Sequence, residues 1–586
     1  MALAAAALVA IGGGGTASGS ELVFDHNELW SGAALGPELS GSAGPSTGPT
    51  GTGRPPRVGP NNRANAQQAA FPNGLLGRSE TTIAATDDGQ LLLVGFNDAQ
   101  GFCGSPFGSA CTPQSPPGLS GFAFSTDGGL SWIDGGGPDP LGTNVFTRGD
   151  PWMDRGGVDG MTFYYANLAI DKTTGASLGI SVHRGHFSGG TFAWQDIRTF
   201  DSPHNPGSCT PAGTPCDFYD KEALVAAKDG SGTAYVSLTN FQGQPTIRPG
   251  CGTNAQFGFG QIEVFRTHDG GDSWQGPAIA GPEAPDSVAS CGNTGTLRQS
   301  SAPAIGPNGE VYVVSQFGPT FSPATSTDAH IVVARSLDGG VSFAPQVTVA
   351  DTNSMRQNPP VGYNRDRIND HPRIDVATTG GNKGRVYVVY YSAVAPTVAP
   401  PANLASCLVP PAPQSRCRAQ TLTSSQVFLR HSDDRGATWS AAIPLGGPVP
   451  DTGVKRFWPD VSVSPGGNVN VVYYESQEKQ ATANPSDVEC NLNVGGGTRR
   501  QGLASSLVDT WWTFSSDGGN TFSMPLKLST ATSNWCTTVS NIRPNFGDYI
   551  DAQAGSNRIL ATWADGRAGV PDTFFVAGLA AGKSTP

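Results

Sequence analysis

Residues 125–132 read STDGGLSW, and the chain repeats that phrase four more times. The other copies are THDGGDSW (267–274), SLDGGVSF (336–343), SDDRGATW (432–439) and SSDGGNTF (515–522). The common frame is Ser/Thr-x-Asp-x-Gly-x-Ser/Thr-Trp/Phe. An Asp at its third position accepts hydrogen bonds from backbone N–H groups just ahead, and a Gly at its fifth takes a positive φ without steric cost. The closing aromatic gives the turn an apolar anchor. A single D-G-G turn is common. Five in one frame imply a repeated hairpin.

Working outward, a second repeat runs through the chain. It has a short alternating apolar strand, a Gly-containing turn, then a longer strand rich in Val, Tyr and Leu. The copies span residues 81–98, 150–168, 222–240, 302–317, 371–392, 458–476 and 547–565. They recur about every 70 to 90 residues, as in a repeat architecture. A degenerate octapeptide, GHFSGGTF (185–192), keeps Gly189, Thr191 and Phe192 but lacks the Ser and Asp. The last copy is followed only by PDTFFVAG (571–578), so its outer strand has to come from elsewhere. ELVF (21–24) is one candidate.

The octapeptide resembles the Asp-box, or BNR repeat, of the sialidase-like β-propellers, over roughly residues 78–580. The resemblance implies an all-β propeller of four-stranded blades, with each box closing an outer hairpin away from the active site. Seven copies imply seven blades, with the six-bladed sialidase fold as the alternative. The expected organisation is a signal-peptide-like leader at 1–20, a Gly/Pro/Ser-rich linker or arm at 21–75, and the propeller at 76–580.

Composition narrows the function classes. The net charge is −12 and only 14% of residues are charged, which excludes a basic nucleic-acid footprint. The leading apolar run is too short to span a bilayer and resembles a secretory signal without its basic flank. Ten cysteines fall as near neighbours: 103 and 111, 209 and 216, 251 and 291, 407 and 417, 490 and 536. An even count in loops points to disulfides and a secreted or extracellular protein. No C-x-x-C pair is present to hold zinc.

Residues at the entry of each repeat are conspicuously polar, and in a propeller they approach the central channel. They include Arg78, Glu80, Arg148, Asp150, Asp220, Glu222, Arg298, Asp370, His371, Arg456, Asp460, Asp548 and Tyr549. The bland alternative is that these carboxylates cap turns or pair with a neighbouring Arg. The family resemblance implies three arginines on a substrate carboxylate, a Tyr nucleophile helped by a Glu, and an Asp acid/base. A guanidinium fork suits the first task. The nearest matches are Asp98, Tyr549 and Glu475 for catalysis, with Tyr473 as a second choice of nucleophile. For the substrate they are Arg78, Arg456 and Arg567, with Arg543 as a further clamp candidate, together with Asp150, Asp370 and Asp548. The family's Arg-Ile-Pro motif is absent; the comparable place reads Gly77-Arg78-Ser79-Glu80.

Other motifs fit structure better than chemistry. GASLG (175–179) precedes a strand where a nucleophile elbow needs a helix. Arg148-Gly149-Asp150 spells an adhesion tripeptide at a strand entry, and the YNRDR run (363–367) reads as a solvated loop, with the alternative that it reaches the channel because it precedes an inner strand. His183 and His186 lack a third ligand. No cofactor is expected; structural calcium at Asp87-Asp88 is left open by the residues alone. The expected function is an exported, carbohydrate-directed, sialidase-like exo-glycosidase acting on terminal sugars of the sialic-acid type. Its partner is a glycan or glycoconjugate. The rival is a non-catalytic propeller that binds a glycan or protein partner at the channel face.

Overall fold

The computed structural model describes residues 56–68, 75–103, 111, 114–173, 177–202, 218–241, 260–282, 296–319, 329–355, 359–363, 365, 368–394, 424–451, 453–480, 504–542, 544–555 and 558–579. Their regular structure is strand, joined by turns and loops, apart from one helical turn among the described residues, Ala99–Phe102. No helix is long and apolar enough to cross a membrane.

Each repeat copy folds as an antiparallel pair, because its short alternating run and its longer Val/Tyr-rich run are joined by a tight Gly turn. Arg78–Ala85 pairs with Leu92–Asp98, and Trp152–Gly156 with Thr162–Asp171. Phe218–Ala226 pairs with Ala234–Phe241, and Thr296–Ile305 with Val311–Pro319. Arg373–Val376 pairs with Val386–Ala393, Val454–Val463 with Val469–Gln480, and Asp551–Ala554 with Arg558–Asp565. Later strands widen the pairs into small antiparallel sheets. One sheet holds two repeats, joined by a single parallel pair, Ser425 with Lys455. The first strands of successive copies pack together in chain order. Asp551–Ala554 then returns to Arg78–Ala85, so the sheets close into a propeller-like ring.

Closure is made by the N-terminal arm. Arg57–Val58 and Asn62–Arg63 pair with Asp572–Leu579, so the missing outer edge comes from within the expected linker. Buried Asn65 fixes the seam: it donates to Asp572 Oδ1 at 2.9 Å and accepts from Thr573 N at 2.7 Å. Asn62 donates to Gly129 O at 2.6 Å, tying the arm to the first octapeptide. ELVF lies outside the described residues.

The octapeptides share one bonding scheme. Ser125 Oγ donates to Asp127 Oδ1 at 2.7 Å and accepts from Gly129 N at 2.9 Å. Ser131 then donates to Asp127 through its N–H at 2.9 Å and its hydroxyl at 2.5 Å. Thr267, Ser336, Ser432 and Ser515 repeat this with Asp269, Asp338, Asp434 and Asp517. The turns also rivet neighbouring sheets. Tyr164 and Tyr235 donate to the carbonyls of Gly270 and Gly339 in the next sheet at 3.0 and 3.2 Å, and Tyr387 donates to Gly518 O at 3.1 Å across the two repeats of the largest sheet. Gly340 must be glycine: its φ is 80°, and a Cβ there would lie 2.7 Å from the Tyr235 ring.

Carboxylates stitch the inner strands in the same sense. Asp154, Asp375 and Asp460 accept the N–H groups of Ala226, Val463 and Ala552 at 2.9, 2.6 and 2.9 Å. Asp551 accepts from Ile83 N at 2.8 Å, carrying the stitch across the seam. Asp460 is therefore a sheet-to-sheet clamp. Of the expected cysteine pairs, Cys103–Cys111 is a disulfide, and Cys536 is disulfide-bonded; the other seven cysteines lie outside the described residues.

Candidate functional site at the centre of the ring

The ladder of the first strands breaks just ahead of the alternating run. Register shifts fall between Ser79 and Thr82, Asp220 and Ala223, Gln299 and Ala302, and Phe457 and Asp460. Glu80, Lys221, Ser300 and Trp458 sit in these bulges with φ of 52°, 54°, 60° and 44°. Asp150, with φ of 54°, holds the same place two residues ahead of Trp152. The same count gives His371 and Tyr549 in the remaining copies. Left-handed non-glycine residues are uncommon, and bulges re-aim side chains near functional sites. One position per repeat is thereby turned toward the centre.

The side chains meet there. Lys221 Nζ lies 2.6 Å from Asp150 Oδ2, 3.3 Å from Asp548 Oδ2 and 3.8 Å from Glu80 Oε1, joining four different sheets. Asp548 also pairs with Arg365 and accepts from Tyr363 OH at 2.8 Å and Asn369 Nδ2 at 3.0 Å. Asn97 donates to Glu80 Oε2 at 2.7 Å. The segment carrying Tyr363 and Arg365 is anchored by the buried Lys455–Glu478 pair: Glu478 accepts from Val361 N at 2.9 Å, and Lys455 donates to Pro359 O at 3.2 Å.

Tyr549 forms the floor. Its hydroxyl donates to Pro151 O at 2.8 Å, and its ring lies 5.5 Å from Trp152 and 5.9 Å from His371. The Arg373 guanidinium lies over Trp152 and Tyr549, 4.5 and 5.3 Å from the ring centres. Ser300 Oγ and Asp548 Oδ2 both approach His371 Nε2, at 3.5 and 4.0 Å. A Ser-His-Asp relay uses the two different ring nitrogens, so this trio is not one.

Burial and charge divide the protons unevenly. Burial alone would raise Asp548, but Arg365 and Lys221 overcome it and hold the carboxyl well below the usual range. Asp150 is likewise lowered: burial would raise it, but Lys221 together with hydrogen bonds from Glu80 and Asp220 overcomes that. Glu80 is pushed well above the usual range by burial and then by Asp150, with which it shares a hydrogen bond. Burial and Asp150 push Asp220 up to about 8 and Glu222 well above its usual range. Burial keeps His371 neutral and the Tyr549 phenol protonated. Charge therefore sits on Asp150 and Asp548, while protons sit on Glu80, Asp220 and Glu222.

The sequence-derived candidates fall into two groups. Asp150, Asp548 and Tyr549 come together at the centre. The others are held by partners elsewhere: Arg78 by Asp98 at 3.0 Å, Arg456 by Glu475 at 2.7 Å and Arg567 by Asp565 at 2.7 Å. Asp98 also accepts from Gln100 N at 2.8 Å, capping the helical turn. Asp370 accepts from Ser354 Oγ at 2.5 Å and Gln316 Nε2 at 3.2 Å. Tyr473 is fully buried. Arg543 lies outside the described residues.

Lys221, Ser300 and Trp458 escaped the sequence reading, as did the convergence of Tyr363 and Arg365 on Asp548. The recoverable signal was position: each bulge residue stands two places ahead of its alternating run. The adhesion tripeptide is spent inside this cluster, with Asp150 on Lys221. The Asp87-Asp88 loop is occupied by its own contacts: Asp87 pairs with Arg155, and Asp88 accepts from Thr86 and Gln90. Among the described residues no set of three or more His, Cys, Asp or Glu groups is arranged to hold a metal.

No family model matches the sequence, and no curated protein matches it. Solved structures share a distant likeness. An α-L-arabinofuranosidase mutant from Fusarium graminearum, in complex with an iminosugar inhibitor, is 13% identical with a TM-score of 0.39, covering 71% of this chain and 92% of its own. A protein of unknown function from Dyadobacter fermentans is 12% identical with a TM-score of 0.39, covering 90% and 99%. A Trypanosoma rangeli sialidase in complex with sialic acid is 11% identical with a TM-score of 0.37, covering 77% and 59%. Overlaps of this size do not equate two folds or two activities.

Proposed function

We propose that the chain is a secreted, seven-bladed Asp-box propeller that hydrolyses glycosidic bonds at the centre of its ring. The blade count treats the two repeats of the largest sheet as separate blades, in line with the seven repeat copies. The bonding scheme of the five octapeptides supports the Asp-box reading, and the Cys103–Cys111 disulfide supports an oxidising compartment.

The observation that carries the chemistry is the Glu80–Asp150 pair, whose carboxyls both act on the Tyr549 phenol. Two neighbouring carboxyls whose environments push their proton affinities apart are an acid and a base ready-made. Glu80 donates its proton to the leaving oxygen. Asp150 accepts the phenol proton as Tyr549 Oη attacks the anomeric carbon, and water later releases the sugar. Directly hydrogen-bonded carboxyls are closer than the roughly 5 Å or more that separates the two acids of ordinary glycosidases, which suits a tyrosine nucleophile instead. Asp98 and Glu475, each tied to an arginine, are left to structure in this reading.

The same electrostatics bear on the sugar. A sialic-acid carboxylate would meet the charged Asp150 and Asp548, whose cations Lys221 and Arg365 are already engaged, and Arg78, Arg456 and Arg567 are paired elsewhere, so we assign an uncharged or cationic sugar. The binding-only alternative draws on one observation, the engagement of the Tyr549 hydroxyl by Pro151 O. Turnover of a panel of fluorogenic glycosides, sialosides included, decides between them. Hydrolysis abolished by Tyr549→Phe supports the enzyme, and binding without turnover of any glycoside supports the alternative.

A further inference from the structure

The centre of the ring holds more carboxyls than its cations balance. Among the described residues, Glu80, Asp150, Asp220, Glu222 and Asp548 face Lys221 and Arg365 as ion-pair partners and Arg373 at longer range, since His371 is neutral. One of these carboxyls is also incompletely bonded: Glu222 is 3% exposed and neither of its oxygens accepts from another residue, whereas Asp220, also 3% exposed, shares a hydrogen bond with Asp150. A buried acceptor without a partner costs about 1–3 kcal/mol, so its retention calls for a reason. Both flank Lys221 on one strand and face Asp150, which alone in the cluster keeps 13% side-chain exposure. Glu222 also acts on the phenols of Tyr165 and Tyr549 from neighbouring sheets, and Glu80 and Asp548 lie on the far side of Lys221.

We propose that Asp150, Asp220 and Glu222 form a subsite for a primary ammonium group, and that the sugar recognised is an amino sugar with its amine free. This deepens, and rests on, the glycosidase reading. Asp150 is the entry, and the ammonium supplies N–H donors to the oxygens that lack them. It displaces the protons that Asp220 and Glu222 otherwise retain, so binding and proton release are linked.

The test is calorimetric titration of the full chain with deacetylated chitobiose and its N-acetylated counterpart, in buffers of different ionisation enthalpy near neutral pH. The expected result is tighter binding of the free amine by about tenfold or more, with net proton release. Glu222→Gln and Asp220→Asn should each shrink both effects while the protein stays folded by circular dichroism. Equal affinity for the two sugars, or an amine preference unchanged in both variants, overturns the proposal. Binding of spermidine without binding of the amino sugar overturns the sugar class. Calorimetry needs no turnover. Hydrolysis without amine preference therefore removes this inference alone, and amine binding without hydrolysis removes the enzyme alone.

Discussion

Lys221 holds Asp150 at 2.6 Å although the two residues belong to different sheets, and both adopt left-handed backbone to do so. The contact ties second and third repeats at the axis and keeps Asp150 charged beside a protonated Glu80. Removing the ammonium leaves Asp150 and Asp548 buried with one partner fewer. We expect Lys221→Met to lower stability by about 3–5 kcal/mol in denaturant unfolding. A loss below about 1 kcal/mol would show the carboxylates to be adequately solvated without it.

Asp220 gives stability a pH dependence opposite in sign to that of an ordinary salt bridge. Burial, then Asp150, raise its folded value to about 8, against about 3.9 in the unfolded chain. The folded state binds the extra proton, so this contribution is full below about 4 and is lost as pH rises through about 8. Asp220→Asn cannot ionise. Its thermal stability relative to wild type should rise steadily from pH 4 to 8, whereas a flat difference would mean that Asp220 titrates normally.

The octapeptide turns predict a separate acid transition. Hydrogen bonds from Thr438 hold Asp434 down to about 2. Its contribution is present above about 4 and lost as pH falls through about 2. Ser336→Ala removes a donor to Asp338 and an acceptor for Gly340 N and should cost about 1 kcal/mol. Tyr235→Phe, which frees the Gly339 carbonyl of the adjoining sheet, should cost a similar amount. Neither change touches the axis, so glycoside turnover at low temperature should be unaltered.

Much of the fold was legible because the repeats are local: one tight turn plus one alternating run specifies a strand pair wherever it recurs. The closing edge was not. Arg57–Val58 and Asn62–Arg63 are too short to show periodicity, and their partner lies at the other end of the chain. The site divides the same way. Asp150, Asp548 and Tyr549 stand at readable strand entries, but Lys221 reads as an ordinary surface lysine until a bulge turns it inward. Arg78 and Arg456 looked available as a clamp, since only the register that sets them opposite Asp98 and Glu475 reveals their partners.

That closing edge is itself testable. Asn65→Ala deletes the bonds to Asp572 and Thr573 and should destabilise the protein by about 1–3 kcal/mol. Limited proteolysis should then cut first within the arm. Resistance equal to wild type would show that strand pairing alone holds the seam.

The central claim is that an acid–base pair acting with a tyrosine at the axis cleaves glycosides. Initial rates on uncharged, amino-sugar and sialoside fluorogenic substrates, for wild type and for Glu80→Gln, Asp150→Asn and Tyr549→Phe, test it most directly. The account predicts turnover of uncharged or amino-sugar glycosides, with each variant slower by about a hundredfold or more. A folded wild type that cleaves none of them, or variants that keep the wild-type rate, would contradict it.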